Sequence, residues 1–271
     1  MNTVQEFWEV DGVSLHTWAW SIETLNGREG LPPRRGDNEV VSYRPGEVWR
    51  PKVFGAKLMS LAMWAKGSDA DGVIPGAGAR AQFRQNLESL KTMFGVIERE
   101  LVLTRRIQTL ASLLVQTGKG ECVGTIEPNM KGNTLGAFVV DLLMADPFWY
   151  GAPVVSAVPL AGATVTNVGT TAARKMVIRL NGPLTNPQLV NQSSSPVTAV
   201  SYVGSITGGN WVDLDTNNYT ARDQTGASVI GNVTHSGDRS WMLLLPGVNA
   251  MLLNATAGTG NASLTYSPTY F

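Results

Sequence analysis

The feature that most limits what this chain can fold into is a repeated alternation of apolar and polar residues in short segments. The segment "KLMSLAMWAKG" follows the two-residue period of a β-strand, in which neighbouring side chains point to opposite faces, and "ELVLTRRIQT", "ASLLVQTG" and "GAFVVDLLMAD" are further predicted strands. Stretches rich in Gly, Pro, Asn and Asp, which favour turns, separate such segments along the 271 residues. The pattern predicts a mainly β protein.

One segment has helical periodicity instead. In "ARAQFRQNLESLKTMFG" large apolar residues recur at steps of four, three and four, at Phe83, Leu87, Leu90 and Phe94. Gly95 lies where a C-terminal cap belongs. We therefore predict one amphipathic helix over about residues 79–94, with its apolar side on a sheet.

A β-hairpin is predicted at the start of the chain. "VQEFWEV" runs into Asp11 and Gly12, a pair that favours a tight turn, and "VSLHTWAWSIE" follows. Read as one strand, the second segment places four residues on one face: Leu15, Thr17, Ala19 and Ser21.

A second hairpin is predicted over about residues 39–54. "EVVSYR" and "EVWRPKVF" flank Pro45 and Gly46, which suit the centre of a type II turn. Because this hairpin is polar and rich in arginine, it is a poor core element, and we expect an extended arm.

The charged residues divide the chain. Residues 1–150 hold 16 Lys/Arg and 17 Asp/Glu, whereas residues 151–271 hold five and four, and no glutamate follows Glu127. The second half is rich in Thr, Ser, Asn, Gly and Val, which is typical of short strands and tight turns. We predict an α+β domain over residues 1–151, a β-sandwich or split barrel with one helix, and a β-sandwich over residues 152–271.

Seven strands are predicted in the second half, where no segment has convincing helical periodicity. Their sequences are "KMVIRLNG", "QLVNQSS", "NWVDLD", "YTARD", "SWMLLLPG", "NAMLLNA" and "ASLTYS". Their spacing is that of an antiparallel sandwich, with a turn at Asn217 and Asn218.

The stretch "LMADPFWYGAP" lies at the boundary between the two domains. Pro147 lacks the N–H that a strand needs, so the preceding strand should end at Asp146. Three adjacent aromatic residues follow: Phe148, Trp149 and Tyr150. In a strand they cannot all point to one core, so we expect them to wedge against the first domain and against a neighbouring subunit.

Composition excludes several classes of protein. A chain with 43% hydrophobic residues, 15% charged residues and no net charge is globular and is not built to bind nucleic acid non-specifically. It has no apolar run that could span a bilayer and no signal peptide, so we expect synthesis and folding in the cytoplasm and no membrane insertion. One cysteine and two histidines argue against disulfides and a zinc site.

Two motifs could carry catalysis or a metal, and both are weak. Gly120, Cys122 and Gly124 have the spacing of a nucleophile elbow, but "TIEPNMKG" follows where a helix is required. Asp213 and Asp215 begin an EF-hand pattern that lacks its later glycine and glutamate. We expect no enzyme activity, no metal and no cofactor.

A glycan site is a further possibility. Trp211, Asp213 and Asp215 alternate in one predicted strand and would share a face, as an aromatic ring and polar groups do in sugar sites. The alternative function is therefore a carbohydrate-binding module that contributes to recognition of a host cell wall.

The order of these pieces resembles the distal tail proteins of siphophages. In the first half the resemblance is carried by "PPRRGDNEVVSYRPGEVWRPKVFGAKLMSLAMWAKG", the helix and "FVVDLLMADPFWYG". In the second half "NGPLTNPQLVN", "NWVDLDTNN" and "SWMLLLPGVNAMLL" are similar to the galectin-like sandwich of that family. The most specific pieces are the Asp-Pro-aromatic exit and the Leu-Pro-Gly-x-Asn turn from Leu245 to Asn249. The stretch "SIETLNGREGLPPRRGDN" is similar to those of phages that infect actinobacteria.

The resemblance implies a virion structural protein at the tail tip, made in the host cytoplasm. Six copies would form a ring, with the first domains around a channel through which DNA passes and the galectin-like sandwiches outside. The ring would connect the tail tube protein to the tail hub protein, and its periphery could carry receptor-binding or baseplate proteins.

A closed ring needs two different contact surfaces on each subunit. Our candidate interface residues are those of the second hairpin and the aromatic exit: Arg34, Arg35, Arg44, Trp49, Arg50, Phe148, Trp149 and Tyr150. A solvated hairpin on a monomer remains the alternative for the first five of them.

Overall fold

The computed structural model describes residues 5–27, 30–40, 47, 48, 50, 52–108, 112–236 and 241–271. The chain divides into two compact units: the first runs to Trp149 and includes Phe271, and the second comprises Tyr150–Tyr270. The sequence-based division, after residue 151, lies two residues further along the chain. No helix in the described ranges is long and apolar enough to cross a membrane.

The described residues of the first unit form strands β1 to β13 and one α-helix. The strands are β1 (Gln5–Val10), β2 (Val13–Ser14), β3 (Trp20–Asn26), β4 (Arg34–Arg35), β5 (Glu39–Val40), β6 (Glu47–Val48), β7 (Val53–Phe54), β8 (Lys57–Lys66), β9 (Leu101–Gln108), β10 (Leu113–Cys122), β11 (Asn129–Met130), β12 (Leu135–Met144) and β13 (Trp149–Tyr150), which spans the division. Helix α1 (Ala79–Phe94) follows a 3-10 turn at Gly76–Gly78.

The main sheet of the first unit has the order β2-β1-β9-β10-β12-β8-β3, and its pairs are antiparallel. Strand β10 pairs with β9 from Leu113 to Gly120 but with β12 only at Glu121 and Cys122, so the sheet splits there. The buried residues of β8 alternate as predicted: Met59, Leu61, Met63 and Ala65. The mainly β fold is confirmed, with a single α-helix in the part of the chain that the structure describes.

Helix α1 has the bounds expected from the sequence, and its four large apolar residues are buried. It is fixed to the end of β8 by a buried Asn86, whose side-chain amide donates to the carbonyls of Lys66, at 2.7 Å, and Ser68, at 2.8 Å. Gly95 caps the helix through its N–H, which donates to the Lys91 carbonyl, and its φ is −83° rather than left-handed.

The first hairpin has the predicted turn but a broken second strand. Asp11 and Gly12 have φ values of 50° and 79°, the left-handed pair of a type I′ turn. Beyond β2, however, the hydroxyl of Thr17 accepts the Trp20 N–H, which offers the backbone an alternative to the sheet ladder. The prediction of one continuous strand is wrong: Leu15 and Ala19 are buried, but Thr17 and Ser21 are only partly so.

The second hairpin is a two-step antiparallel ribbon. Strand β4 pairs with β7, Arg34 opposite Phe54, and β5 pairs with β6, Glu39 opposite Val48. We call the described residues of this element, 31–40, 47, 48, 50 and 52–54, the ribbon. The turn predicted at Pro45 and Gly46 lies outside the described residues.

In its described residues the second unit is all β apart from a 3-10 turn at Ile230–Asn232. Its strands are β14 (Val154–Pro159), β15 (Ala163–Asn167), β16 (Met176–Asn181), β17 (Leu184–Thr185), β18 (Gln188–Asn191), β19 (Thr198–Tyr202), β20 (Ser205–Ile206), β21 (Trp211–Asp215), β22 (Thr220–Asp223), β23 (Val233–His235), β24 (Gly247–Asn254), β25 (Ala257–Gly258), β26 (Asn261–Tyr266) and β27 (Thr269–Tyr270).

Two five-stranded sheets enclose the core of the second unit. Their orders are β14-β26-β16-β21-β22 and β15-β24-β18-β19-β23, with antiparallel pairing. Buried Ile178 and Leu214 of the first sheet share one apolar cluster with Leu189 and Leu253 of the second. The predicted β-sandwich is therefore present.

The segment "SWMLLLPG", predicted as a strand, forms only an isolated bridge at Leu244 in its described part. Three buried asparagines hold its backbone instead. Asn167 donates to the Leu244 carbonyl at 3.0 Å and Asn191 to the Leu243 carbonyl at 2.6 Å. Asn249 accepts the Leu245 N–H at 2.9 Å and donates to the Leu245 carbonyl at 2.8 Å, which closes the Leu-Pro-Gly-x-Asn turn.

Candidate functional site

The three adjacent aromatic residues of the boundary are all buried. The exposed fractions are 3% for Phe148, 0% for Trp149 and 8% for Tyr150, so little of them remains for a neighbouring subunit to contact. The expected contact with a neighbouring subunit is therefore left with almost no exposed aromatic surface. Three adjacent strand residues cannot all point to one core. All three can nevertheless be buried here, because Phe148 and Trp149 belong to the first unit and Tyr150 to the second.

Phe148 and Trp149 pack inside the first unit. The Phe148 ring meets Phe54 edge-on at 5.6 Å between centroids and lies 5.8 Å from Phe271. Trp149 meets Trp8 edge-on at 5.3 Å, beside Gly118. A Cβ on Gly118 would lie only 3.1 Å from the Trp149 ring, so the glycine makes room for it.

Tyr150 packs within the second unit. The Lys175 amine lies 3.6 Å from the centroid of its ring, a cation–π contact. The aromatic exit therefore helps to order both units, each through its own residues.

The arginines of the ribbon are exposed where the structure describes them. Arg34 and Arg35 form β4, and Arg50 lies before β7. The neighbouring Lys52 is also exposed, and its amine donates to the Gly36 carbonyl at 2.9 Å. The other two candidates, Arg44 and Trp49, lie outside the described residues.

The structure places the proposed glycan residues on one outward face of β21, between the buried Val212 and Leu214. Asp213 receives two 2.7 Å hydrogen bonds from the Arg179 guanidinium, which lies 4.9 Å from the Trp211 ring centroid. The hydrogen bond to Asp213 raises the pKa of Arg179. Because Arg179 lies over the ring and holds Asp213, a sugar would have to compete with it for both groups.

Asp215 is committed to the turn that follows β21. Its carboxylate accepts the backbone N–H groups of Asn217, at 2.9 Å, and Asn218, at 3.0 Å, as well as the Asn218 side-chain amide at 2.7 Å. A cavity of about 280 Å³ lies beside it, lined in part by Lys175 and Thr265. Among the described residues, no group of three or more His, Cys, Asp or Glu side chains could hold a metal ion.

Cys122 ends strand β10 and does not have the environment of a nucleophile. Burial, together with the nearby Asp141 carboxylate, raises the pKa of its thiol, which disfavours the reactive thiolate. Gly124 has a φ of 106° in the turn that follows, and no helix begins there. The motif therefore lies at the end of a strand and in the turn that follows it.

Sequence reasoning missed an apolar sheet face in the first unit. On β8 and β12 the residues between the buried positions point outward, and several of them are apolar. We call this surface the outer sheet face: Leu58, Ala62, Trp64, Ala137, Val139 and Leu143. Leu58 is 52% exposed and Val139 is 51% exposed. The signal in the sequence was the near absence of charge at the outward positions of these two strands.

The strands at the other end of the same sheet carry ion pairs on their surface. On β1 and β9, Glu9 pairs with Arg106 at 2.8 Å, and Asp11, just after β1, pairs with Arg99 at 2.9 Å. The hydrogen bond from Arg99 is the main cause that lowers the pKa of Asp11, and the Val102 N–H adds to it. Charged side chains in ion pairs therefore lie on this part of the sheet, as is usual for a surface in contact with water.

Comparison with known proteins identifies the fold. No family model and no curated protein sequence matches the chain. The crystal structure of the Dit protein of phage SPP1, described as a paradigm of the hub adsorption apparatus in phages that infect Gram-positive bacteria, matches with a TM-score of 0.69 and 16% identity. The match covers 98% of this chain and 100% of that protein. Two structures of the phage P2 baseplate in its activated conformation, with Ca and with Sr, match at 9% and 8% identity with TM-scores of 0.44, over 97% of this chain and 98% of theirs. The chain has the fold of the SPP1 protein.

Proposed function

We propose that this chain is a structural protein of a phage virion, which forms a hexameric ring at the distal end of the tail. The ring connects the tail tube to the tail hub or baseplate and leaves a channel for DNA. The observation that carries the proposal is the likeness to the SPP1 Dit protein, which extends over 98% of this chain and all of that one. Because the likeness includes both units, it is more than a shared sandwich, a fold that hosts many unrelated functions.

The proposed partners are the tail tube protein, the tail hub protein and, at the periphery, receptor-binding or baseplate proteins. The role requires no catalysis and no cofactor, and its location is the tail tip of the virion. The ribbon supports the proposal, because it presents exposed arginines on a short two-stranded element. Such an element suits the heterologous contacts from which closed rings are built.

The experiment that tests the proposal measures the mass of the purified chain by size-exclusion chromatography with light scattering. A hexamer of the 29.0 kDa chain has a mass of about 174 kDa. We expect hexamers of that mass for the chain alone, or after addition of the tail tube or tail hub protein of the same phage. A monomer under all three conditions would overturn the ring.

Carbohydrate binding is a second candidate, favoured by the shared outward face of Trp211, Asp213 and Asp215. The bidentate contact between Arg179 and Asp213 counts against it. The full chain and its Trp211→Ala variant can be compared on an array of bacterial cell-wall glycans. Binding that the variant loses would establish the module, and silence of the wild-type chain would reject it.

A further inference from the structure

We infer that the outer sheet face is a contact surface for a second copy of this chain, and that the ribbon of that copy is what it contacts. The inference rests on the proposed function in one respect: it takes the chain to be one that assembles with copies of itself. It adds a location and two complementary surfaces, neither of which the likeness in fold supplies.

The outer sheet face is too apolar for a solvated surface. Strand β12 pairs with β8 along its whole length, which places Leu143 opposite Leu58, Val139 opposite Ala62 and Ala137 opposite Trp64. These cross-strand rows form a continuous apolar surface along the outer sheet face, which we call the strip. Exposed apolar surfaces of this kind mark protein interfaces.

The strip also has a direction, because its charges differ between its two ends. At one end, the exposed Glu121 lies opposite Leu143, and Asp141 accepts the Ser60 hydroxyl one row further on. At the other end, Lys66 lies opposite Leu135, with its amine 4.2 Å from the Trp64 ring centroid. An occupant with apolar and cationic groups would match the acidic end.

The ribbon has those groups. Leu31 is 64% exposed and Val53 is 56% exposed, and the exposed Arg34 and Arg35 lie between them in sequence. Residues 31–54 contain five basic and three acidic residues in all. Apolar and positively charged groups on the ribbon thus face apolar and negatively charged groups on the strip.

The occupant has to come from another molecule. Leu58 and Val139 are half exposed in a chain that includes its own ribbon, so that ribbon does not cover them. The ribbon's root is held elsewhere, because Phe54 packs edge-on against Phe148 and Phe271 in the core of the first unit.

The size of the face suits one contact of a ring. Two ten-residue strands at the usual rise and spacing cover roughly 320 Å². A stable interface buries about 800 Å² on each partner, so the strip supplies about two fifths of one. The edges and arginines of the ribbon can supply the rest.

Cross-linking of two single-cysteine chains tests the contact directly. In a Cys122→Ser background, one chain carries Val139→Cys and the other carries Val53→Cys. We expect mild oxidation of the mixture to give a disulfide-linked dimer on a non-reducing gel. A chain with Val102→Cys, on the ion-paired end of the sheet and 38% exposed, replaces the first in the matched control and should give none.

A charge on the strip tests its energetic role. Val139→Glu should weaken self-association at least tenfold, measured by light scattering over a dilution series, while the circular dichroism spectrum stays unchanged. The control is Ile97→Glu, at a residue that is 91% exposed outside the strip, and it should associate as the wild type does.

The outcomes separate the two proposals. If Val139→Glu assembles like the wild type, or if Val102→Cys cross-links as well as Val139→Cys, the assignment of the strip is overturned and the ring stands. If the wild type stays monomeric with its tube and hub proteins, both are overturned.

Discussion

Asn249 shows how one side chain can take the place of a sheet ladder. It is fully buried, and its amide holds the backbone on both sides of the Leu-Pro-Gly turn while it accepts a bond from Asn191. The apolar run in "SWMLLLPG" predicted a strand, but two of the competing hydrogen bonds come from distant asparagines. An apolar run cannot indicate such partners, since Asn167 and Asn191 are separated from the residues they contact by 77 and 52 residues.

Substitution of Asn249 tests this role. Asn249→Asp removes the donor to the Leu245 and Gly247 carbonyls and puts a carboxylate beside them. We expect a loss of about 2–4 kcal/mol in the free energy of unfolding, measured with urea. The control is Asn254→Asp, at an exposed position of the same strand, which should cost less than about 0.5 kcal/mol. Equal effects of the two changes would contradict the role of Asn249.

The pair of Asp11 and Arg99 predicts a dependence on pH. Because the pKa of Asp11 is lowered on folding, its contribution to stability is present above its unfolded pKa, near 3.8, and is lost as the pH falls through the lower folded value. Asp11→Asn keeps a residue that tolerates the positive φ of 50° but removes the charge. We expect the variant to be less stable than the wild type at pH 7 and equally stable near pH 2. A difference that does not change with pH would reject the ion pair as its cause.

At the scale of elements, the helix was the easiest to predict and the strand ends were the hardest. The apolar spacing in α1 sets both its face and its length, because every buried position lies on one side of the helix. The breaks in the first hairpin depend on hydroxyls of Ser14 and Thr17, whose contribution is local and leaves no periodic signal. The outer sheet face was visible in the sequence only as missing charge at alternate positions of β8 and β12.

Asn86 links the helix to the sheet and can be tested on its own. Asn86→Ala leaves the carbonyls of Lys66 and Ser68 without this donor, and we expect a cost of about 1–3 kcal/mol in unfolding free energy. Gln85→Ala, one position earlier on the exposed side, is the matched control and should be nearly neutral. Amide hydrogen exchange of α1 should rise in the first variant only. Similar protection of α1 in both variants would show that the Asn86 contacts do not hold the helix.

At the scale of the whole molecule, the structure separates the interface residues predicted from the sequence into an exposed group and a buried group. Its arginines are exposed where they are described, and Phe148, Trp149 and Tyr150 are buried in the two units. The sequence allowed both outcomes for Phe148, Trp149 and Tyr150, since burial depends on which unit each joins. That depends on the chain's three-dimensional path, which neighbours in sequence do not specify.

A charge reversal on the ribbon is the corresponding test of assembly. Arg34→Glu should weaken self-association about tenfold at low salt, and less at high salt, because screening reduces the contribution of exposed charges. Arg84→Glu, on the exposed side of α1, carries the same change of charge and should leave assembly as it was. Sedimentation velocity at two ionic strengths provides both comparisons. Parallel losses in the two variants would indicate a general effect of net charge.

The place of Phe271 in the first unit has a consequence for synthesis on the ribosome. This ring completes the cluster of Phe54 and Phe148, yet it is translated only after the 121 residues of the second unit. A nascent chain that has emerged as far as Trp149 therefore has two of the three rings and must wait for the third. At about 5–20 residues per second, the delay lasts roughly 6–24 seconds. During that interval the first unit depends on chaperones or on its other contacts, and its final packing step follows translation of the second unit.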